Sequence, residues 1–244
     1  MKGFVLIFLI ITLSATPLRD SSFHSYLVVW NVGQGQFVTA IQEDTCLHFD
    51  VGGEFFPFRR IFNFCRDRQN KIFLSHWDWD HIGGLAKWPK ALTESCIAIA
   101  PIGPTSVHKK NILSRFATCE NAPTAAESMT KTWTPKISKD TNSESHVTVF
   151  KDFLIPGDSP KTQERLWEHL PWIQQSHILI LGHHGSRTST SPELLNQLPH
   201  LSMAVASARW ARYKHPHTET VALLRKRHIA LLKTEDWGSI WFEQ

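Results

Sequence analysis

Ser75-His76-Trp77-Asp78-Trp79-Asp80-His81-Ile82-Gly83-Gly84 places two imidazoles and two carboxylates within six residues, directly after Lys71-Ile72-Phe73-Leu74. The preceding run reads as a short buried strand, Lys71 to Ser75, so the cluster falls where a strand ends. Neighbouring side chains on a strand point to opposite faces. His76, Asp78, Asp80 and His81 therefore converge only if the chain coils immediately after the strand, with Gly83-Gly84 supplying backbone freedom. A polar loop that caps a helix accounts for one such residue. The whole H-x-D-x-D-H-x-G-G string instead points to a metal site at a strand terminus.

The rest of the chain suits such a site. Its 244 residues are 42% hydrophobic, enough for a sizeable core in one large domain. The formal charge of +4 comes from 26 Lys and Arg against 22 Asp and Glu. That mild excess permits an anionic substrate without demanding one. Met1-Lys2, the apolar run Gly3 to Leu13 and the small residues Ser14-Ala15 have the form of a signal peptide over residues 1–15. The run is short of the ~20 apolar residues a membrane span needs. The expected mature chain, residues 16–244, is therefore exported to the periplasm or secreted, with no stable span after cleavage. In that setting Cys46, Cys65, Cys96 and Cys119 can form two disulfides whose pairing the sequence leaves open.

Three short strands, Tyr26 to Val32, Phe37 to Gln42 and Thr45 to Asp50, precede a helix over Phe55 to Arg68. A helix over Gly83 to Leu92 and a strand over Cys96 to Ala100 follow the His/Asp string. From Ile102 to Ser145 the pattern weakens into Pro-, Ser-, Thr- and Lys-rich sequence, read as long loops with a short helix. Beyond it come a hairpin (Val147 to Phe150, Phe153 to Ile155) and a helix over Lys161 to Leu170. Strands at His177 to Leu181, Met203 to Ser207 and Ile229 to Lys233 then alternate with helices at Pro192 to Leu198 and Thr218 to Arg227. Ser239 to Glu243 closes a sheet. Early antiparallel strands and later βα alternation suit one α/β domain with two sheets between outer helices.

Further metal-capable residues stand at the ends of these strands. Asp50 precedes Gly52-Gly53, and Asp158 follows Phe153-Leu154-Ile155. His183-His184 follow Ile178 to Leu181, and His215-Pro216-His217 precede the last long helix. Strand termini are where an α/β scaffold assembles a site from distant sequence. Singly, each has a simpler explanation: Asp158 can cap the next helix, and the histidines can lie on the surface.

Together, Asn31-Val-Gly-Gln-Gly-Gln36, Asp50-Val-Gly-Gly53, Ser75 to Gly84, Gly157-Asp158, Gly182-His-His-Gly-Ser186 and Tyr213-Lys-His-Pro-His217 resemble the metallo-β-lactamase superfamily. Within it they resemble the hydrolase domain of ComEC-type DNA-uptake proteins, from about Leu27 to the C-terminus. The resemblance implies an αββα sandwich with two divalent metal ions, Zn2+ or Mn2+. His76 and Asp78 match positions for the first ion, and Asp80 and His81 for the second. Asp158 matches the bridging carboxylate. His183 or His184, with His215 or His217, match later positions. Asp50 is expected to support a ligand by hydrogen bonding. Asp80 and Asp158 are candidates to orient a metal-activated water, so no Ser or Cys nucleophile is required.

Two departures from the family pattern stand out. Asn31 and Gln36 replace the aspartates that normally begin and end the first motif, which puts substrate handling in question more than metal binding. Asp78 stands where many superfamily members carry His, and the ComEC-type branch shares it. Asp78, Asp80 and Asp158 supply three hard oxygen donors, a set that suits Mn2+ as well as Zn2+. The expected function is a metal-dependent nuclease or phosphodiesterase acting on DNA. Arg187, Lys214 and His217 are candidate substrate contacts, and Lys109-Lys110, Arg209 and Arg212 further phosphate partners. Trp77 and Trp79 are candidates for stacking on bases. The alternatives are a small-molecule hydrolase acting on a lactam, lactone or thioester, and a non-catalytic DNA-binding protein.

Overall fold

The computed structural model describes residues 24–92, 94–120 and 124–244. The expected export segment lies outside them. The first sheet begins with β1 (Tyr26–Val29), β2 (Phe37–Ile41) and β3 (Thr45–Val51), joined antiparallel, and continues in parallel through β4 (Gln69–Phe73), β5 (Ser95–Ile99) and β6 (Ala117–Thr118). The second holds β7 (Thr130–Trp133), β8 (Val147–Phe150), β9 (Phe153–Ile155), β10 (Ile178–Ile180), β11 (Met203–Ala206) and β12 (Ala230–Lys233). Strands β9 to β12 of this sheet are mutually parallel. Strand β13 (Ile240–Glu243) returns to the first sheet beside β1, antiparallel to it.

The period-two alternation of the strands explains the layering. On one face of the first sheet, Leu27, Val29, Leu47, Phe49 and Phe73 pack with Phe150, Phe153, Ile155, Ile180 and Val205 of the second. This is the core between the sheets. The opposite face of the first sheet presents Val28, Trp30, Ile41 and Ile72 to Ile61 and Cys65 of the helix Phe58–Cys65. The outer face of the second presents Val149, Leu154 and Leu179 to Trp167, Ile173, Leu194, Leu195 and Leu224 on its covering helices. Helices therefore flank both sheets, as expected for an αββα sandwich.

Cys46 pairs with Cys65, tying β3 to the helix above it, and Cys96 pairs with Cys119 beyond β6. Cys46, His48 and Cys65 lie close enough together to suggest a metal site. The disulfide consumes both thiols and excludes one.

Two expectations need correction. The stretch read as loops contains β7, a full partner of β8 in register Thr130↔Phe150 to Trp133↔Val147. Its sequence, Thr-Lys-Thr-Trp, has no apolar run, and the strand forms through pairing that includes a Thr132–Thr148 hydroxyl contact of 3.1 Å. The helix expected over Gly83 to Leu92 is only a short 3-10 turn, Gly83–Lys87. Pro89 explains the stop, because the residue before a proline disfavours helical backbone.

Candidate metal centre

After β4 the chain runs extended through Leu74-Ser75-His76. It then coils into the single turn Trp79–Ile82, with Asp78 in extended conformation just before it. That turn brings Asp80 and His81 back towards His76 and Asp78. Gly83 and Gly84 do not supply the coil, since it is complete before them. Gly84 is needed for close packing: a Cβ there would lie 2.6 Å from the Phe56 ring and 2.7 Å from the Val51 carbonyl. Gly52 has the same role, because its Cβ would lie 1.9 Å from the Asp80 carbonyl oxygen. The Asp80 carbonyl also accepts from the Gln36 N–H at 2.8 Å, pinning the turn to the end of the first sheet.

The other candidates arrive from parallel strand ends. Asp158 follows β9 through Pro156-Gly157. His183 and His184 follow β10 in the turn Gly182–Gly185. Both histidines adopt left-handed backbone, φ 49° and 56°, and Asp50 does so at φ 55°. Such conformations cost of order 1 kcal/mol each for non-glycine residues and persist where the surroundings enforce them, often at functional sites.

Asp158 sits among four imidazoles. Its Oδ1 lies 3.0 Å from His81 Nε2 and 3.8 Å from His184 Nε2, and its Oδ2 lies 3.6 Å from His183 Nε2 and 4.0 Å from His76 Nε2. Asp78 Oδ2 is 3.6 Å from His76 Nε2, and Asp80 Oδ2 is 3.2 Å from His184 Nε2. The structure thus brings together seven predicted residues: His76, Asp78, Asp80, His81, Asp158, His183 and His184. Both members of the His183-His184 pair face the cluster, with Nε2 3.6 and 3.8 Å from the Asp158 carboxylate.

Hydrogen bonds behind the cluster set the tautomers. The Asp50 carboxylate can only accept, and it does so from Ser75 N–H at 2.7 Å, Ser75 Oγ at 2.7 Å, Gln36 Nε2 at 2.8 Å and His81 Nδ1 at 2.7 Å. His81 therefore carries its proton on Nδ1 and turns the Nε2 lone pair inward. Ser75 has spent its only proton on Asp50, so it accepts from His76 Nδ1 at 2.9 Å. His76 likewise presents its Nε2 lone pair. Ser145 lies 3.2 Å from the same His76 Nδ1 and accepts from the Asp158 N–H at 3.1 Å.

Two of the inward atoms lack partners. Buried His76 Nε2 and Asp158 Oδ1 have no hydrogen bond, and His81 Nε2 and His184 Nε2 lie 3.3 Å apart. Lone pairs and carboxylates facing one another in a buried space are unfavourable without a cation between them. The donor set therefore fits divalent metal ions. Two triplets, His76-His81-Asp158 and Asp80-His81-His184, bring their donor atoms within 4.8 Å of one another.

The electrostatics of the cluster carry the same demand for positive charge. Burial alone would lower the His81 pKa, but the Asp158 and Asp50 carboxylates raise it well above the usual imidazole range. Beside Asp158 the Nε2 position therefore favours positive charge, carried by a proton or, in its place, by a metal ion on the lone pair. Burial would raise Asp158, yet His81 and His184 hold it well below the usual carboxylate range. Asp80 is depressed against its burial by His184 and His81, and Asp78 by its hydrogen bond with His76. Burial lowers His183.

The remaining candidates lie at the rim. His215 has its ring centroid 5.9 Å from that of His183. Gln34 Oε1 accepts from the Arg209 N–H at 3.3 Å, so its amide nitrogen is the group that donates to His215 Nδ1 at 3.2 Å. Burial, with His184 and His183 nearby, pushes the His215 pKa down to about 4. The neutral ring thus keeps its proton on Nε2, which makes His215 a hydrogen-bond donor. His217 is held through its backbone N–H on the Gly185 carbonyl at 2.8 Å. Arg187 and Lys214 are exposed. Arg209 and Arg212 are engaged by Glu54 at 3.1 and 2.8 Å, and Trp77 is buried in the core. Sequence reasoning missed Ser75, Ser145 and Gln34 as supports. Gln36, read from sequence as bearing on substrate handling more than on metal binding, is one hydrogen bond from Asp50. An amide there can donate to Asp50, which an ionised aspartate cannot.

No family model matches the chain. It is 27% identical to Competence protein ComA of Neisseria gonorrhoeae over 229 residues, 88% of this chain and 32% of that protein. It is 27% identical to Recombination protein 2 of Haemophilus influenzae over 176 residues, 70% of this chain and 22% of that protein. A 91-residue stretch, 37% of this chain, is 32% identical to ComE operon protein 3 of Bacillus subtilis and spans 12% of it. The chain thus spans a third or less of these curated relatives. Among solved structures, it is similar to the metallo-beta-lactamase fold protein YhfI from Bacillus subtilis, with TM-score 0.57 and 11% identity. That match covers 90% of this chain and all of the other. The layered architecture, the cluster at the strand ends and these comparisons agree: the chain has the metallo-β-lactamase fold, and its sequence resembles competence proteins of the ComEC type.

Proposed function

We propose that residues 16–244 form a metal-dependent hydrolase, exported by the segment at 1–15, that cleaves the phosphodiester backbone of DNA. The observation that carries this reading is the convergence of three carboxylates and four imidazoles around the buried, unpartnered His76 Nε2 and Asp158 Oδ1. In the proposed arrangement His76, Asp78, His183 and Asp158 would hold one divalent ion, and Asp80, His81, His184 and Asp158 the other. Zn2+ and Mn2+ both suit this mixed nitrogen and oxygen set. Such a pair, when bound, supplies Lewis acidity and an activated water for in-line displacement at phosphorus.

The chain's own residues orient and protect that centre. Asp50 and Ser75 hold His81 and His76 in the tautomers that face lone pairs inward. Ser145 fixes the Asp158 backbone. In this reading Asp80 and Asp158 would orient the attacking water, and His215 would donate a hydrogen bond from Nε2 to a substrate oxygen. Arg187, Lys214 and His217 stand at the rim, where a phosphate backbone would pass. The similarity to competence and recombination proteins supports a nucleic-acid substrate. The two disulfides support an oxidising compartment, consistent with export.

The test is a gel assay of the mature chain on labelled single- and double-stranded DNA with Mn2+, Zn2+, Mg2+ or chelator, beside Asp78→Ala and Asp158→Ala. Cleavage that requires an added ion and disappears in both folded variants is the expected result. No cleavage with any ion by folded, metal-loaded protein overturns the nuclease reading; turnover of a lactam, lactone or thioester would then redirect it.

A further inference from the structure

One partly exposed indole, Trp79, borders the candidate centre. A second, Trp210, stands on the segment that leads to His215 and lines a groove with Pro216, Val221 and Leu231; each has a lysine against a face of its ring. Trp79 lies between Asp78 and Asp80 in sequence and is 46% exposed, although its neighbour Trp77 is buried. Lys109 reaches over it, with Nζ 5.4 Å from the ring centroid and also donating to the Trp77 carbonyl. His108 packs 5.6 Å from the same ring. Trp210, 42% exposed, opens the short helix Trp210–Tyr213 that leads into His215. Lys214 Nζ stands 5.6 Å from its centroid. Tyr213 is exposed beside it, with the Arg212 guanidinium 5.1 Å from its ring.

The charges around these rings differ in availability. Glu54 occupies Arg209 and Arg212. Lys109 and Lys214 have no acidic partner among the described residues, so their positive charge is not neutralised there, although Lys109 also donates to the Trp77 carbonyl. A partly exposed indole beside a lysine that no carboxylate neutralises matches the repeat of a nucleotide: a base to stack and a phosphate to contact. Duplex DNA keeps its bases stacked inside and offers nothing to such a ring. A single strand does.

We infer that the ligand crossing this centre is a single-stranded nucleic acid whose bases stack on Trp79 and Trp210 while Lys109 and Lys214 contact its phosphates. The inference rests on the hydrolase reading above and adds strand selectivity and two base-binding positions to it. Stacking one base on an aromatic ring changes affinity by about 5- to 150-fold.

The experiment measures binding, separately from turnover. Fluorescence anisotropy with a labelled phosphorothioate oligothymidylate, and with a phosphorothioate duplex hairpin of equal charge, gives Kd for the full mature chain and its variants. Tryptophan quenching on binding reports stacking directly. The expected result is a single-strand affinity about tenfold or more above that for the hairpin, with quenching. Trp79→Ala and Trp210→Ala should each weaken it by about 5- to 150-fold, and Trp79→Phe and Trp210→Phe should retain most of it. Phe64→Ala, a half-exposed aromatic packed against Trp241 on another face, should leave Kd unchanged. Equal affinity for the hairpin, or alanine variants that fold normally and bind as the parent does, overturns the inference. DNA cleavage without dependence on either indole would sink this inference alone. Indole-dependent binding without cleavage would sink the hydrolase reading alone.

Discussion

Asp50→Asn is the most informative single change behind the cluster. Asparagine tolerates the left-handed backbone at this position and is isosteric with aspartate. Its side chain, however, offers one accepting oxygen in place of two. If that oxygen keeps the Ser75 N–H, the new NH2 group faces Gln36 Nε2 and His81 Nδ1, which are both donors in the parent. His81 relieves the conflict by moving its proton to Nε2, the nitrogen that points at Asp158 and His184. The lone pair is then lost from the cluster. Leaving one buried donor unsatisfied costs about 1–3 kcal/mol, so the protein stays folded with a reduced unfolding midpoint. Altering a group that orients a metal ligand typically lowers metal affinity about 10- to 100-fold. Competitive titration of Zn2+ against a chromophoric chelator reads the affinity, and urea unfolding reads the stability. A folded Asp50→Asn protein that binds Zn2+ as tightly as the parent would refute the tautomer argument.

Two further changes probe the scaffold. His48 is fully buried between Thr39 and Asn70, and burial lowers its pKa from 6.5 to about 4 against the smaller upward pull of Asn70. Because the folded pKa lies below the unfolded one, the unfolded chain takes up the proton first. Stability from this group is therefore intact above pH 6.5 and falls by about 3 kcal/mol as the pH drops through 4. Urea unfolding across that range should show a shallower acid loss in His48→Gln, and parallel curves would contradict this. Lys71 is 2% exposed on β4 and pairs with Glu127 at 2.5 Å. Glu127→Ala should cost about 3–5 kcal/mol by leaving that ammonium buried and unpaired, and the double change Lys71→Met/Glu127→Leu should recover most of it. Equal stability of Glu127→Ala and the parent would show that Lys71 escapes to solvent.

The residues that could be read from sequence are those whose local chemistry departs from their surroundings. Asp158 and His183-His184 each interrupt an apolar strand pattern at its end, and parallel strands deliver such ends to one edge of a sheet. The coil after His76 was implied by alternation alone, since four ligands on a straight strand would diverge. What stayed hidden was non-local. Gln36 meets Asp50 across a bend, Ser145 reaches His76 from 69 residues away, and Glu54 captures Arg209 from 155 residues away. None of these has a spacing signal. Strand β7 was equally silent, because Thr-Lys-Thr-Trp gains its order from β8 and not from its own hydrophobicity. The glycines were visible as a motif, but their use was not. Gly52 and Gly84 serve close backbone packing around the turn Trp79–Ile82 and do not supply its coil.

The central claim is that this cluster is built to hold divalent ions, and counting them tests it most directly. Equilibrium dialysis of the mature chain against Zn2+ or Mn2+, followed by elemental analysis, should give two ions per chain. Asp158→Ala, verified as folded, should hold fewer, because the Asp158 carboxylate lies 3.0–4.0 Å from all four imidazoles of the cluster. A parent protein that binds no ion, or an Asp158→Ala protein that binds the same number, would contradict the account.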